Sequence, residues 1–78
     1  MSWINNLYVI YQKLDATGCG EVKHEILEAQ INGCNNGGIY FLVLQQLMRI
    51  KKDKANIYEL IKGEVESYIQ YGAHTYMN

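Results

Sequence analysis

The 78-residue sequence contains no proline, two cysteines and two histidines, and it has no long apolar run. No segment reaches the roughly 18 consecutive apolar residues that a membrane span requires, and residues 1–6 lack the basic region of a secretory leader. One cysteine pair is too few for the disulfide framework of a small secreted domain. We therefore expect a cytoplasmic protein that does not enter a membrane and has free thiols at Cys19 and Cys34.

Charge of either sign is also scarce. Seven Lys and Arg residues stand against eight Asp and Glu residues, for a net charge of -1. No global field then draws the chain to nucleic acid or to an anionic membrane, so any such binding depends on a local patch. The hydrophobic fraction of 49% is that of a globular domain, and the mass of 9.0 kDa corresponds to a folded accessible area of about 4,900 Å².

The apolar residues recur at helical spacing and predict an all-α fold, a single domain over residues 1–78. We expect a small bundle of about four helices, of which the second is short. Their predicted ranges are residues 2–15, 22–31, 39–50 and 56–72, with a Gly/Asn-rich loop at 32–38 and a frayed tail from about residue 73. Asn32 and Gly33 are expected to form a left-handed cap, Asn56 an N-cap and Gly72 a helix stop.

Two alternatives concern the second half of the chain. A short strand at Tyr40–Leu44 is compatible with the apolar run there, although the helical spacing continues to Ile50. Because proline is absent, the last two helices could also form one rod, roughly 50 Å long from Ile39 to Tyr71. Such a rod would expose too much apolar surface for a monomer and would imply a dimer of helical hairpins, whereas a break near Asp53 allows a compact monomer.

The sequence does not indicate an enzyme or a cofactor site. A calcium loop starting at Asp15 fails because its twelfth position is Ile26 instead of a bidentate glutamate. The candidate metal ligands Cys19, Cys34, His24 and His74 lack the spacing of a zinc site. Neither thiol has an adjacent base, and no phosphate-binding loop is present. We predict no metal, no cofactor and no catalytic residues.

A helix-turn-helix arrangement of residues 25–54 is the alternative functional interpretation. Gly33 would be the turn glycine, with Ala29 before it and Ile39 and Leu42 buried after it. A basic cluster could then contact phosphates; its residues are Arg49, Lys51, Lys52 and Lys54. The predicted recognition helix begins with Asn and Gly instead of base-reading side chains, and cations near a helix C-terminus also offset the helix dipole.

The aromatic residues favour a different function. Seven tyrosines and one tryptophan exceed what a thin core absorbs, so several of them should reach the surface. Tyrosine and tryptophan are typical anchors of protein interfaces. The candidate interaction residues are Trp3, Tyr8, Tyr11, Tyr58, Tyr68 and Tyr71. We expect a small non-enzymatic module that binds a protein stoichiometrically, as an inhibitor, immunity factor, adaptor or assembly subunit does. Its partner would be a second copy or another chain.

Overall fold

A computed structural model describes residues 2–76 and contains four α-helices. They are α1 (Trp3–Ala16), α2 (Gly20–Asn32), α3 (Asn36–Asp53) and α4 (Ala55–Tyr76). No strand occurs among the described residues, so the segment around Tyr40 is helical. The prediction of an all-α four-helix bundle is confirmed.

Local signals determine both ends of α1. The Ser2 hydroxyl caps α1 by accepting a hydrogen bond from the Asn5 amide at 3.4 Å. At the other end Gly18 adopts φ of +73°, a left-handed conformation that residues with a Cβ rarely adopt. The predicted break between the first two helices is therefore confirmed.

The connection between α2 and α3 is shorter than predicted. It comprises residues 33–35 only, because the Asn35 side chain caps α3 by accepting from the Gly38 amide at 2.8 Å. Gly33 is extended (φ -76°, ψ 135°), so the predicted left-handed cap is wrong. This position requires glycine for a different reason: a Cβ would lie 2.6 Å from the backbone of Ile39. The remaining predicted loop glycines form the first turn of α3.

The last helix also differs from the prediction at both ends. A single residue, Lys54 (φ -136°, ψ 58°), separates α3 from α4, so Asn56 lies inside α4 and is not its N-cap. Gly72 does not stop the helix, which continues to Tyr76. The predicted tail thus begins as helix up to residue 76, and residues 77 and 78 lie outside the described part. Tyr76 packs beside Trp3 and Tyr40, which explains the extension.

The four helices form a bundle in which sequence neighbours are antiparallel. On α1 and α2, Asp15 pairs with Lys23 while the earlier residue Tyr11 pairs with the later residue Gln30. Lys54 after α3 pairs with Glu25 in the first half of α2, and Tyr40 near the start of α3 stacks on Tyr68 in the second half of α4. The first and last helices, α1 and α4, also pack against each other, and Lys13 pairs with Glu64 between them. The bundle measures 34 × 23 × 21 Å and exposes 4889 Å², the area expected of a compact monomer.

Candidate interaction surface

The structure does not bring the six predicted aromatic anchors together at the surface. Four of them lie in the core, where their relative exposure is 8% or less: Trp3, Tyr11, Tyr58 and Tyr68. Tyr71 is half-buried against that core, and Tyr8 is 61% exposed on α1. Only Tyr8 thus presents most of its ring to a partner in this fold.

The core absorbs these rings by stacking them and satisfying hydroxyl groups. Tyr40 and Tyr68 stack with centroids 4.9 Å apart, and Trp3 meets both rings edge-on at 5.5 and 5.7 Å. The Tyr68 hydroxyl donates to the Tyr40 carbonyl at 2.8 Å, and the Tyr11 hydroxyl donates to Gln30 Oε1 at 2.7 Å. Burial raises the pKa of Tyr68 and of Tyr11 well above the ordinary tyrosine value.

A contiguous apolar surface is present elsewhere, on the side of α3 that faces away from the bundle axis. We call it the outer face of α3, and it consists of Phe41, Leu42, Leu44 and Met48. Phe41 is 46% exposed and Leu42 is 36% exposed, while Leu44 and Met48 are half-buried. Together with Gln45 they line a shallow groove of about 430 Å³. Apolar side chains so grouped are a feature of binding surfaces.

Phe41 packs against two neighbouring rings. Its ring meets that of Tyr40 edge-on at 5.1 Å and lies 6.2 Å from that of Tyr76. Since Tyr40 is itself fully buried, this contact ties Phe41 to the core. A partner that contacts Phe41 would meet a preorganised side chain, which lowers the entropic cost of binding.

Other large apolar side chains are exposed on the remaining three helices, but they form smaller sets. Ile4 and Tyr8 lie one turn apart on α1, Ile31 is at the end of α2 and Leu60 is on α4. Scattered apolar residues of this kind are normal on a protein surface. The outer face of α3 is distinguished by its four adjacent members.

A polar groove of about 330 Å³ runs between α2 and α3, beside the outer face of α3. Its centre is Glu25, whose carboxylate accepts from Lys54 at 2.8 Å and from Gln46 at 3.4 Å. The bond to Glu25 raises the pKa of Lys54. Glu28, Arg49 and Asp53 also line this groove.

The residues of the basic cluster have different surroundings, and two of them lie in this groove. Lys54 is paired with Glu25, and Lys51 lies 5.8 Å from the centre of the Tyr58 ring. Arg49 shares the groove with three carboxylates, which offset a positive patch. Lys52 is exposed. Leu42, a core residue in the helix-turn-helix interpretation, is instead part of the exposed apolar face.

The predicted thiol and imidazole candidates are not assembled into a site. Cys19 and Cys34 are free and flank α2, so about 20 Å of helix separates them. His24 pairs with Glu28 at 3.0 Å on the exposed side of α2. Among residues 2–76, no group of three or more His, Cys, Asp or Glu side chains could hold a metal ion. None of the four described helices meets the length and hydropathy needed to cross a membrane.

Comparison with protein-family models, with curated proteins and with solved structures finds no significant match to this chain.

Sequence reasoning missed the outer face of α3, yet the sequence contains a signal for it. Residues 39–44 are six consecutive apolar residues, more than one face of a helix can bury. The positions that turn inward are Tyr40, Val43, Leu47 and Ile50. These four complete an ordinary helical stripe, and the surplus apolar residues between them are therefore the ones left at the surface.

Proposed function

We propose that the chain is a small non-enzymatic protein-interaction module that acts by stoichiometric binding, with the outer face of α3 as its contact surface. The supporting observation is the group of four adjacent apolar side chains around Phe41, which is braced by Tyr40 and Tyr76. A rigid aromatic anchor within an apolar patch is the usual energetic centre of a protein interface.

The surroundings of this face fit the same role. Gln45 and Arg49 border it with polar groups, as the rim of an interface does. The nearby grooves are shallow and charged, and they offer no enclosed apolar cavity of the kind that holds a small substrate. The fitting partner is a protein that presents apolar side chains, and binding would act as it does in an inhibitor, immunity factor, adaptor or assembly subunit.

Nucleic-acid binding by residues 25–54 has less support. Two cations of the basic cluster, Arg49 and Lys54, share the α2–α3 groove with Glu25, Glu28 and Asp53. Carboxylates at this position would repel phosphates, so the electrostatic attraction that drives DNA binding would be weak. Titration of duplex DNA at two salt concentrations separates the interpretations, because phosphate contacts make affinity strongly salt-dependent.

The test compares two leucine substitutions. Leu42 and Leu60 are similarly exposed, at 36% and 44%, but only Leu42 belongs to the outer face of α3. The wild-type chain, Leu42→Ser and the control Leu60→Ser are immobilised, and the proteins retained from an extract of the native source are quantified by mass spectrometry. We expect a partner that wild type and Leu60→Ser retain equally and Leu42→Ser loses, with equal helicity by circular dichroism. Equal retention by all three chains would refute this surface.

A further inference from the structure

The junction between α3 and α4 departs from a continuous helix at one residue only. The Lys54 amide donates to the Ile50 carbonyl at 2.8 Å, as it would inside a helix. The Lys54 carbonyl accepts from the amides of Ile57 and Tyr58, both at 3.0 Å. The chain therefore reverses direction through a single residue whose own hydrogen bonds already belong to the two helices.

The local sequence permits a continuous helix. Residues 51–55 read Lys-Lys-Asp-Lys-Ala, with neither glycine nor proline to favour a break. Joining the helices would pair the amides of residues 55, 56 and 57 with the carbonyls of residues 51, 52 and 53. No glycine or proline requires the reversal at Lys54, so the reversal depends on tertiary contacts.

Those contacts come mainly from the packing of α4. Its buried residues, including Ile61, Val65 and Tyr68, lie against α1 and α3. Near the junction, the Glu25–Lys54 ion pair and the Lys51–Tyr58 contact add to them. An opened chain would expose the inner side of α4, and a second opened copy offers the same surfaces that α4 has left.

We propose that two copies of the chain exchange α4, with α3 and α4 of each copy joined through Lys54 into one helix. Very short connections under tertiary constraint favour such exchange. The joined helix would span residues 36–76, roughly 60 Å, against 34 Å for the longest dimension of the bundle. Each α4 can therefore reach the bundle of the other copy. The exchange depends on the junction and not on the outer face of α3.

The Lys13–Glu64 ion pair provides a direct test because it joins α1 to α4. Its atoms are 2.9 Å apart, and it becomes an interchain pair after exchange. Lys23–Asp15 joins α1 to α2 at 2.7 Å and stays within one chain in either form. Carbodiimide coupling can link both pairs, so the second serves as the internal control.

Equal amounts of isotopically heavy and light chains are unfolded together, refolded at high concentration and separated by size-exclusion chromatography with light scattering. The dimer fraction is coupled, digested and analysed by mass spectrometry. We expect about half of the Lys13–Glu64 links to join a heavy and a light peptide, since each pair then comes from two chains. The Lys23–Asp15 links should all have one isotope. A Lys13→Arg chain, which lacks the reactive amine, should lose only the first link.

Substitution at the junction supports the same experiment. Lys54→Ala removes the Glu25 contact and favours a helix, whereas Lys54→Gly disfavours it. We expect the dimer of Lys54→Ala to be tighter than that of Lys54→Gly by about fivefold per junction, or about 25-fold for the two junctions of a dimer. Lys52→Ala, an exposed change within α3, is the control and should leave the dimer fraction unchanged.

Two outcomes would overturn the exchange. One is a wild-type chain and a Lys54→Ala chain that both remain monomeric at every concentration. The other is a dimer whose Lys13–Glu64 links all have one isotope, because its subunits then keep their own α4. If Leu42→Ser dissociates that dimer, the outer face of α3 is its interface, so the proposed function would stand while the exchange fails.

Discussion

The ring of Tyr40 lies directly against the backbone of Gly72, so α3 and α4 approach each other through an aromatic side chain on one helix and a missing side chain on the other. A Cβ at position 72 would overlap the Cε1 and Cζ atoms of Tyr40. The Tyr40 hydroxyl also donates to the Ile69 carbonyl at 3.3 Å, one turn earlier on α4. Gly72 therefore determines where Tyr40, and with it Phe41, can lie.

We expect Gly72→Ala to lower the free energy of unfolding, because the ring of Tyr40 must move out of a packed core at a cost of about 1–3 kcal/mol. Alanine returns at most about 1 kcal/mol through helix propensity, so the net loss should be up to about 2 kcal/mol. Denaturant unfolding followed by circular dichroism measures the change. Gly63→Ala is the matched control, since nothing lies within 4 Å of a Cβ at that position of α4.

Gly63→Ala should raise the free energy of unfolding by about 0.5–1 kcal/mol through helix propensity alone. Equal effects of the two substitutions would mean that Tyr40 does not need the space at Gly72. In that case the packing of α3 on α4 described above would not hold.

The buried tyrosines predict a loss of stability at alkaline pH. Burial raises the pKa of Tyr11, Tyr40, Tyr58 and Tyr68 above the ordinary tyrosine value of 10.0. Above pH 10 the unfolded chain therefore loses protons that the folded chain keeps, and the free energy of unfolding falls as pH rises. Below pH 10 this contribution is fully present. Denaturant midpoints measured from pH 8 to pH 11.5 should decline only above about pH 10.

Tyr68→Phe separates this effect from general alkaline unfolding. Removing the hydroxyl that donates to the Tyr40 carbonyl should cost about 1 kcal/mol at neutral pH. It should also make the alkaline decline shallower, because one titrating group is gone. Tyr8→Phe, at an exposed site, should leave the free energy of unfolding at neutral pH unchanged. If the alkaline slope of Tyr68→Phe equals that of the wild type, the pKa of Tyr68 does not differ between the folded and the unfolded chain.

The helices could be predicted from sequence because they depend on local spacing. Trp3, Leu7, Ile10 and Leu14 recur at the interval that turns one side of α1 inward, and all four are buried. The helix ends were harder to predict, since Asn35 caps α3 within a Gly/Asn-rich segment whose composition indicated a loop. Continuation through Gly72 depends on Tyr40, which lies on a different helix and leaves no local signal.

The candidate surface was less predictable because it depends on which apolar residues the core accepts. Tyr40 and Phe41 are adjacent members of one apolar run, but of the two only Tyr40 lies against a glycine on α4 that leaves space for its ring. The core can accommodate Tyr11 because its hydroxyl donates a hydrogen bond to Gln30. Such pairings join distant parts of the chain, so a count of tyrosines could not show which of them are buried.

Asn6 offers a test of a buried polar group. It is 7% exposed within the apolar side of α1, and its Nδ2 atom has no hydrogen-bond partner among the described residues. An unsatisfied buried donor is destabilising. Asn6→Leu, which keeps a side chain of four heavy atoms branched at Cγ, should raise the free energy of unfolding by about 1 kcal/mol or more. The control Asn5→Leu changes an exposed neighbour and should stay within about 0.5 kcal/mol. A destabilised Asn6→Leu chain would show that the amide has a partner in solution.

The two thiols should differ in reactivity. Cys34 is exposed in the short connection before α3, whereas Cys19 is half-buried and lies 3.5 Å from the Thr17 hydroxyl. Because α2 separates them by about 20 Å, and a disulfide needs Cα atoms within about 7 Å, oxidation of the folded chain can only join two chains. We expect Cys34→Ser to abolish the reductant-sensitive dimer formed under mild oxidation, and Cys19→Ser to retain it. Non-reducing electrophoresis and mass spectrometry measure both. A monomeric oxidised product two mass units lighter than the reduced chain would contradict the arrangement of the helices, since it would require both thiols at one end of the bundle.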